Sequence, residues 1–325
     1  MILLWGLPGD SPMAQVHEAL IRMGCAPTFF DQRATLGACA EMSVDAHLTA
    51  TVTTDEGVVD LRDVTATYLR PYDAQDLPAV QQAGPDSETY RNAVQLQDLL
   101  HSWVELTEAL VVNRPSAMAH NCSKPFQARQ LRDLGFNVPD TLITTDPAAV
   151  IEFRERHGRV IYKSVSGVRS IVSELTDEHL PRLGNLRWCP TQFQELVAGT
   201  DYRVHVVGEQ TFAAEIRSAA TDYRYAGRQG HDVTIQSVSI PDEVAQRCVA
   251  VSRAMGLAVS GVDLRRTPDE KWYCFEVNPS PAFDFYQSAT GQRIDEAIAG
   301  LLISGSDSPG TADSLSAVTP GGHNH

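Results

Sequence analysis

The chain has 325 residues, is 43% hydrophobic and 21% charged, and carries a formal net charge of −15. These values fit a globular protein of two or three subdomains. The excess negative charge repels nucleic-acid phosphates and anionic lipid, so neither is expected as a partner.

The opening MILLWGLPGDSP has no basic flank and no apolar run long enough for a signal peptide or membrane span, so a cytoplasmic location is expected. Residues 1–7 predict a buried strand, and 13–23 a helix with Val16, Leu20 and Met23 on one face. WGLPGD is not GxGxxG, so a plain strand-to-helix turn is expected there instead of a dinucleotide site. Residues 27–31, 47–53 and 64–69 predict three more strands. The alternation points to an open, mostly parallel α/β sheet. Residues 72–88, rich in Pro, Asp and Gln, predict a surface loop. Leu96, Leu99, Leu100, Trp103, Leu106 and Leu110 recur at helical spacing and predict one buried helix face. Residues 111–115 end a first domain, 1–112.

A second unit is expected over 113–190. It has a helix at 123–134 with Lys124 in its first turn, a strand at 142–144, a helix at 147–157, and strands at 160–163 and 170–173 joined by the small-residue loop 164–169. A third unit is expected over 191–303. It has strands at 191–196, 203–207 and 211–216, a helix at 242–255, a hairpin at 258–278 and a helix at 292–302. Residues 304–325 hold almost no apolar side chains and predict a disordered tail. The six cysteines form no CxxC or Cys/His cluster and are expected as free thiols of a reducing compartment. His323 and His325 form only a weak metal-like pair.

The hairpin GVDLRRTPDEKWYCFEVNPSP carries the densest chemistry. Residues two apart on a strand share a face, so Glu276 and Asn278 project together. A two- or four-residue turn about Pro268 and Asp269 would set Asp263 opposite Cys274, one step from Glu276. Two carboxylates and an amide oxygen make a hard oxygen site suited to Mg²⁺ holding nucleotide phosphates. The alternative is a solvated hairpin face. Against it, Trp272, Tyr273, Phe275 and Val277 make the strand otherwise apolar, so Glu276 needs a partner.

Only three of the 26 basic residues are lysines: Lys124, Lys163 and Lys271. Lys163 ends an apolar strand before the loop of Ser164, Gly167 and their neighbours, whose backbone N–H groups can approach phosphate closely. Lys124 stands at a helix start, where the terminus attracts anions. Either lysine is equally compatible with an ordinary surface charge. Arg203, Arg217 and Arg224 fit two readings, a clamp on a phosphate or ion pairs with Asp201, Glu215 and Asp222.

In order along the chain, NCSKPFQARQLRDLGFNVPDTLIT, VIYKSVSG, FQELVAGTDYRV, AAEIRS, DYR, GVDL and FEVNPSP resemble the ATP-grasp superfamily. Within it they resemble the RimK-like glutamate ligases and the microviridin-type peptide ligases. The resemblance covers residues 111–302, and more loosely the first 110, where ATYLRPYD is similar to a segment of the peptide-ligase branch. It implies a Rossmann-like pre-ATP-grasp domain followed by a two-subdomain ATP-grasp fold with an α+β lid. It also implies ATP and Mg²⁺ as cofactors. Lys124 and Lys163 would contact phosphates, with Lys163 also reaching the adenine edge. Glu195, Leu196 and Val197 would supply the adenine hinge and Asp201 would hold the ribose. Asp263, Glu276 and Asn278 would bind Mg²⁺, and Arg217 and Arg224 would face the transferring phosphoryl group.

The implied activity is a carboxylate–amine or carboxylate–hydroxyl ligase working through an acyl phosphate on a peptide or small amino compound. A kinase of a small molecule and a non-catalytic ATP-binding scaffold are the alternatives, and homo-oligomerisation stays open. The chain departs from the RimK pattern at YAGRQGH (225–231) and after NPSP. Both departures bear on the second substrate, for which Tyr223, Tyr225, Arg228, Phe283, Phe285 and Tyr286 are candidate contacts.

Lys163→Ala is expected to weaken ATP binding at least about tenfold, whereas Lys271→Ala, at the hairpin turn, leaves it unchanged. Calorimetric titration with ATP checks this, and equal losses at both positions would refute the sorting of the lysines.

Overall fold

The computed structural model describes residues 1–55, 57–119, 123–165, 172–218 and 232–307. The apolar run ILLWG forms β1 (Ile2–Gly6). Asp10, whose side chain accepts from the Met13 N–H, caps α1 (Ser11–Arg22), with Pro12 in its first turn. Then come β2 (Thr28–Asp31), β3 (Cys39–Val44), β4 (Leu48–Thr54), β5 (Gly57–Asp60) and β6 (Ala66–Arg70). Helices α2 (Pro78–Ala83) and α3 (Glu88–Leu106) lead to β7 (Leu110–Val112). A parallel sheet of order β2-β1-β6-β7 results. Both its faces are covered, as continuous apolar strands require. Ile2 and Leu4 pack with Met13, Val16 and Leu20 of α1, while Leu3 and Trp5 pack with Leu96, Leu100 and Trp103 of α3.

Three expectations change in this region. Residues 47–53 belong to a separate antiparallel sheet, β3-β4-β5, and not to the parallel one. Their alternation marks a half-buried strand, with Ala50 and Val52 turned into the core. The expected loop 72–88 contains a 3-10 turn at Ala74–Asp76 and α2. Leu110 starts β7 and does not extend the helix face. The chain turns between them, where the Arg114 guanidinium donates to the carbonyls of Val104, Thr107 and Ala109.

The next stretch runs through α4 (Pro115–Met118), α5 (Lys124–Asp133), β8 (Thr141–Thr144), α6 (Pro147–His157), β9 (Val160–Ser164) and β10 (Ser173–Glu174). A 3-10 segment, Asp177–Trp188, then precedes β11 (Thr191–Glu195). β8 to β11 form an antiparallel sheet of order β10-β9-β11-β8. Its core face, with Tyr162 and Phe193, packs against Val150 and Phe153 of α6 and Leu183 of the 3-10 segment. The expected boundary at 190 cuts into this sheet, because β11 bonds to both β8 and β9. Helix α5 leaves it: Leu131, Phe136 and Val138 are buried in the core of the sheet described next. Of the strand expected at 170–173, the described part is β10, which begins at Ser173.

That sheet is antiparallel, of order β14-β13-β12-β15-β16, built from β12 (Thr200–Val207), β13 (Gln210–Ser218), β14 (Val233–Ser237), β15 (Val259–Arg266) and β16 (Trp272–Asn278). Helix α7 (Asp242–Ala254) lies between β14 and β15 in the chain, and Val244, Cys248 and Val251 cover the face of Tyr202, Val204, Val262 and Leu264. The opposite face carries Asp201, Arg203, His205 and Asp263. Helices α8 (Asp284–Thr290) and α9 (Ile294–Asp307) are the last elements among the described residues. The last helix runs to Asp307, past the expected end at 302, and residues 308–325 lie outside the described residues. Helix α9 packs on α1 and β6, so Ile294, Ile298 and Leu302 complete the core begun by Ile2 and Leu4.

Leu302 is fully buried in that shared core, so Leu302→Ala is expected to destabilise by about 2–5 kcal/mol. Leu301→Ala, at a half-buried position, should cost less. Urea unfolding followed by circular dichroism compares the two, and the reverse order would remove α9 from the first core.

Candidate active site

The β15–β16 hairpin brings its carboxylates closer than the sequence suggested. Gly261 pairs with Asn278 and Asp263 with Glu276, but Leu264 pairs with Cys274, so Phe275 is an extra residue on β16. Such a bulge shifts the register by one and sets Asp263 directly opposite Glu276, in place of the expected position opposite Cys274. Arg203, on the next strand, lies across from Asp263. Its Nε is 3.1 Å from Asp263 Oδ1, its Nη1 donates to the Gly261 carbonyl at 3.0 Å, and the residue is 8% exposed. Asn278 donates from Nδ2 to Asp263 Oδ2 at 3.3 Å, which leaves its amide oxygen as the atom that can ligate. Glu276 is half-buried and makes no ion pair among the described residues. Among those residues no three His, Cys, Asp or Glu side chains converge on one point. Two carboxylates and an amide oxygen fit Mg²⁺, which needs only one or two carboxylates when phosphate oxygens and water complete its octahedron.

β16 is an edge strand, and side chains stand in for its missing neighbour. Gln127 of α5 is 2% exposed; its Nε2 donates to the Val277 carbonyl at 2.9 Å and its Oε1 accepts the Val277 N–H at 3.0 Å. Farther along, the Asn137 carbonyl accepts the Cys274 N–H and its side chain donates to the Trp272 carbonyl. Gln127 thus grips the residue between Glu276 and Asn278, and it sits one helical turn from Lys124. Sequence reasoning missed this contact, although a polar residue at a buried helical position was the available sign.

The second sheet turns a polar face away from its core. Lys163 pairs with Gln192, and Gln194 follows two residues on. Both glutamines are buried, and neither Oε1 has a hydrogen-bond partner among the described residues. Orphaned buried acceptors beside a lysine suit a ligand that donates hydrogen bonds. Ser164 ends β9 at the same edge, and Gly167 lies outside the described residues, as does most of the expected phosphate loop.

At the expected adenine hinge, the chain itself occupies several backbone groups. Glu195 N–H donates to the Asp140 carbonyl, Leu196 N–H donates to the Arg159 carbonyl, and the Val197 carbonyl accepts from Arg265 Nη1 at 2.8 Å. The Val197 N–H makes no hydrogen bond among the described residues. Asp201 is paired bidentately with Arg265, at 2.6 and 2.9 Å.

Arg217 is not brought to the carboxylates. The tight turn at Gly208 and Glu209 pairs Val207 with Gln210, so Tyr202 meets Glu215 and Asp201 meets Ile216. Arg217 therefore points to the Tyr202 face, exposed, with its Nε 2.5 Å from Glu215 Oε1. The Tyr202 hydroxyl, with Arg217, holds the Glu215 carboxyl below its usual range. Arg224, Tyr223, Tyr225 and Arg228 lie outside the described residues.

Of the three aromatics after the hairpin, Phe283 and Tyr286 are core residues, whereas Phe285 is 57% exposed. The Tyr286 ring packs between the Arg203 guanidinium, 5.5 Å from its centroid, and the His205 ring at 5.0 Å. Burial pushes the Cys248 thiol up to about 12 and the Cys274 thiol well above its usual value, so neither is a thiolate nucleophile. All five cysteines among the described residues are free thiols.

Two antiparallel sheets follow one another in the chain, one carrying a lysine and buried amides and the other a carboxylate pair suited to Mg²⁺. A model of the RimK-like ATP-grasp domain matches residues 134–302, and the chain belongs to that family. A probable alpha-L-glutamate ligase of Pseudoalteromonas translucida (strain TAC 125) is 28% identical over 220 residues, 64% of this chain and 72% of the relative. One of Parasynechococcus marenigrum (strain WH8102) is 29% identical over 155 residues, 47% of this chain but only 30% of the relative's length. The structure of the ATP-grasp ligase PsnB, complexed with a phosphomimetic variant of minimal precursor, Mg and ADP, superposes with a TM-score of 0.77. It is 28% identical, with 94% of this chain and 98% of that chain covered. Among the described residues no helix is long and apolar enough to cross a membrane.

His205 is fully buried, and neither ring nitrogen has a hydrogen-bond partner among the described residues. Burial, with Arg203 alongside, holds its pKa well below 6.5. The unfolded chain therefore takes up a proton near pH 6.5 that the folded chain refuses. Stability should fall by about 1.4 kcal/mol per pH unit below that point, until the folded pKa is reached, and be unaffected above it. Urea titrations at pH 7.5 and 5.5 check this: His205→Phe should shrink the acid-side loss, and an unchanged loss would clear His205 of it.

Proposed function

We propose that this chain is an ATP- and Mg²⁺-dependent ligase that activates a carboxyl group as an acyl phosphate and joins it to an amine or hydroxyl of a peptide. The observation that carries this reading is the Asp263–Glu276 pair, opposed across one strand pair with Asn278 beside it and Arg203 at its back. Asp263, Glu276 and Asn278 would hold Mg²⁺, which when bound neutralises charge on phosphate oxygens. Lys163 and Ser164 of β9 and Lys124 of α5 would face the phosphates, and Gly167 is assigned there from the family resemblance. Gln192, Gln194 and the Val197 N–H offer acceptors and a donor for the base, and Asp201, held by Arg265, a carboxylate for the ribose. Arg203, positioned where Arg217 is not, supplies fixed positive charge near the transferring group, and Arg224 is assigned there from the family resemblance.

A carboxylate is a poor electrophile because its charge is delocalised. Phosphorylation gives it a leaving group, and a nucleophile then displaces phosphate. The chain's part is to orient the reactants and to stabilise charge with prearranged cations. It needs no protein nucleophile, consistent with the raised thiol pKa values.

We further read residues 1–112 as a Rossmann-like pre-ATP-grasp domain. The β8–β11 sheet would be the lid, so the lid extends through 195, and the β12–β16 sheet would be the metal-binding subdomain. A peptide substrate is supported by the precursor bound to PsnB and by the exposed Phe285, six residues beyond Pro279 and able to offer contact area to an extended chain.

Incubation with ATP, Mg²⁺ and either acidic peptides or free amino acids tests the reading by ADP release and product mass. Loss of 18 Da, about one water, marks an internal ester or amide, and gain of a residue marks ligation. A phosphorylated product would establish a kinase instead. Glu276→Gln is expected to lower turnover at least about a thousandfold with the fold intact; near-normal ADP release from that variant would sink the metal assignment.

A further inference from the structure

The segment that leaves the carboxylate site is gripped from the first domain. Pro279 and Pro281 lack N–H groups, so the turn after Asn278 cannot tie itself into a helix or strand through them. Its handles are carbonyls and the Ser280 hydroxyl. Arg70, at the end of β6, uses its whole fork here. Nε lies 2.5 Å from Asp10 Oδ2, Nη2 donates to Asp10 Oδ1 at 3.4 Å, and Nη1 donates to Ser280 Oγ at 2.8 Å and to the Pro281 carbonyl at 3.4 Å. Arg70 and Asp10 are nearly buried, with side chains 14% and 11% exposed. Asp10 is itself fixed as the cap of α1.

Asn113, just past β7, grips the neighbouring residue. It is 3% exposed, donates from Nδ2 to the Val259 and Pro279 carbonyls and accepts the Ala258 and Val259 N–H groups at Oδ1. Three consecutive residues, 279 to 281, are therefore fixed by two side chains, Arg70 of the first domain and Asn113 just past its end, starting one residue after Asn278.

We propose that Arg70, acting with Asp10 through Ser280, is a positioning residue for the Asn278 end of the metal site. It touches no proposed ligand. It sets where β16 ends, and with it the direction of the Asn278 amide relative to Asp263 and Glu276. The inference rests on the reading of Asp263, Glu276 and Asn278 as the Mg²⁺ site. A planar fork does this work and an ammonium does not, because lysine can keep Asp10 but cannot also hold Ser280 in fixed geometry. Simple glue between domains is the competing role. It would lower the melting temperature without changing metal dependence.

The test compares Arg70→Lys and Ser280→Ala with the parent protein. Ser280 is exposed, so its variant remains informative even if Arg70→Lys folds poorly. ADP is titrated by calorimetry at graded Mg²⁺. In both variants the Mg²⁺ concentration giving half of the gain in ADP affinity should rise about tenfold, with ADP affinity at saturating Mg²⁺ unchanged. Without metal or nucleotide, amide exchange at Asn278, Ser280 and Ala282 should quicken while the melting temperature moves by no more than about 2 °C. Wild-type Mg²⁺ dependence and exchange in Ser280→Ala, or a lowered melting temperature as the only change in Arg70→Lys, overturns the proposal. Glu276→Gln in the same titration separates the two ideas. If it keeps the Mg²⁺ effect, the metal assignment falls, and the exchange measurement still decides whether Arg70 positions the turn.

Discussion

Two carboxylates face each other across one strand pair, and much of the structure is arranged around that fact. Like charges directly opposite in a sheet repel and destabilise it. Asp263 and Glu276 nevertheless occupy such a pair, brought there by the extra residue at Phe275. One arginine, Arg203, lies in the same row, so three charges in line, one positive and two negative, sum to a net −1. Asp263 and Glu276 would hold a divalent cation, whose charge would offset that excess and screen phosphate oxygens. The stacking of Tyr286 on Arg203 and the neutral His205 beneath it keep the guanidinium aimed at Asp263 without adding a second fixed cation.

The β15–β16 half of the site is tied down by side chains from several elements. β16 would be an open edge, yet Gln127 and Asn137 satisfy its outward backbone groups, and side chains from β6 and the end of β7 hold the turn beyond it. The half that would cover a nucleotide is built differently. Lys163 and the two glutamines ride on a small sheet with its own core, joined to the rest by short connections on either side. A separately cored unit can shift as a body without disturbing β15 and β16. That division suits a reaction in which a ligand must enter, be screened from water and depart.

Much of the architecture was visible in the sequence because hydrophobic period sets face and strand type. The run ILLWG, the helix about Trp103 and the hairpin ending FEVN fall where their patterns place them. What escaped was register and partnership. The bulge at Phe275 leaves no compositional mark, so Asp263 was set opposite Cys274. The strand 47–53 was recognised as a strand, but alternation says which kind of sheet it suits and not which sheet it joins. Arg217 could have been placed: a two-residue turn at Gly208 and Glu209 dictates that it shares the Tyr202 face, and counting across that turn would have separated it from Arg203. Gln127, Arg70 and Asn113 were harder, since their partners lie far away in the chain, 150, 210 and 166 residues off. The carboxylates and lysines were legible because their chemistry is written in residue type. The groups that aim them were not, because orientation is a property of the assembled chain.

Helix α9 places Ile298 and Leu302 in the core that holds the first strand. On a ribosome, β1 and α1 emerge long before Ile298 and Leu302 exist, and until those side chains arrive one face of the parallel sheet lacks its cover. The early domain can collapse but cannot close. Until α9 is made, a growing chain exposes that apolar surface to solvent. A chain that lacks α9 leaves the core of its first domain incomplete.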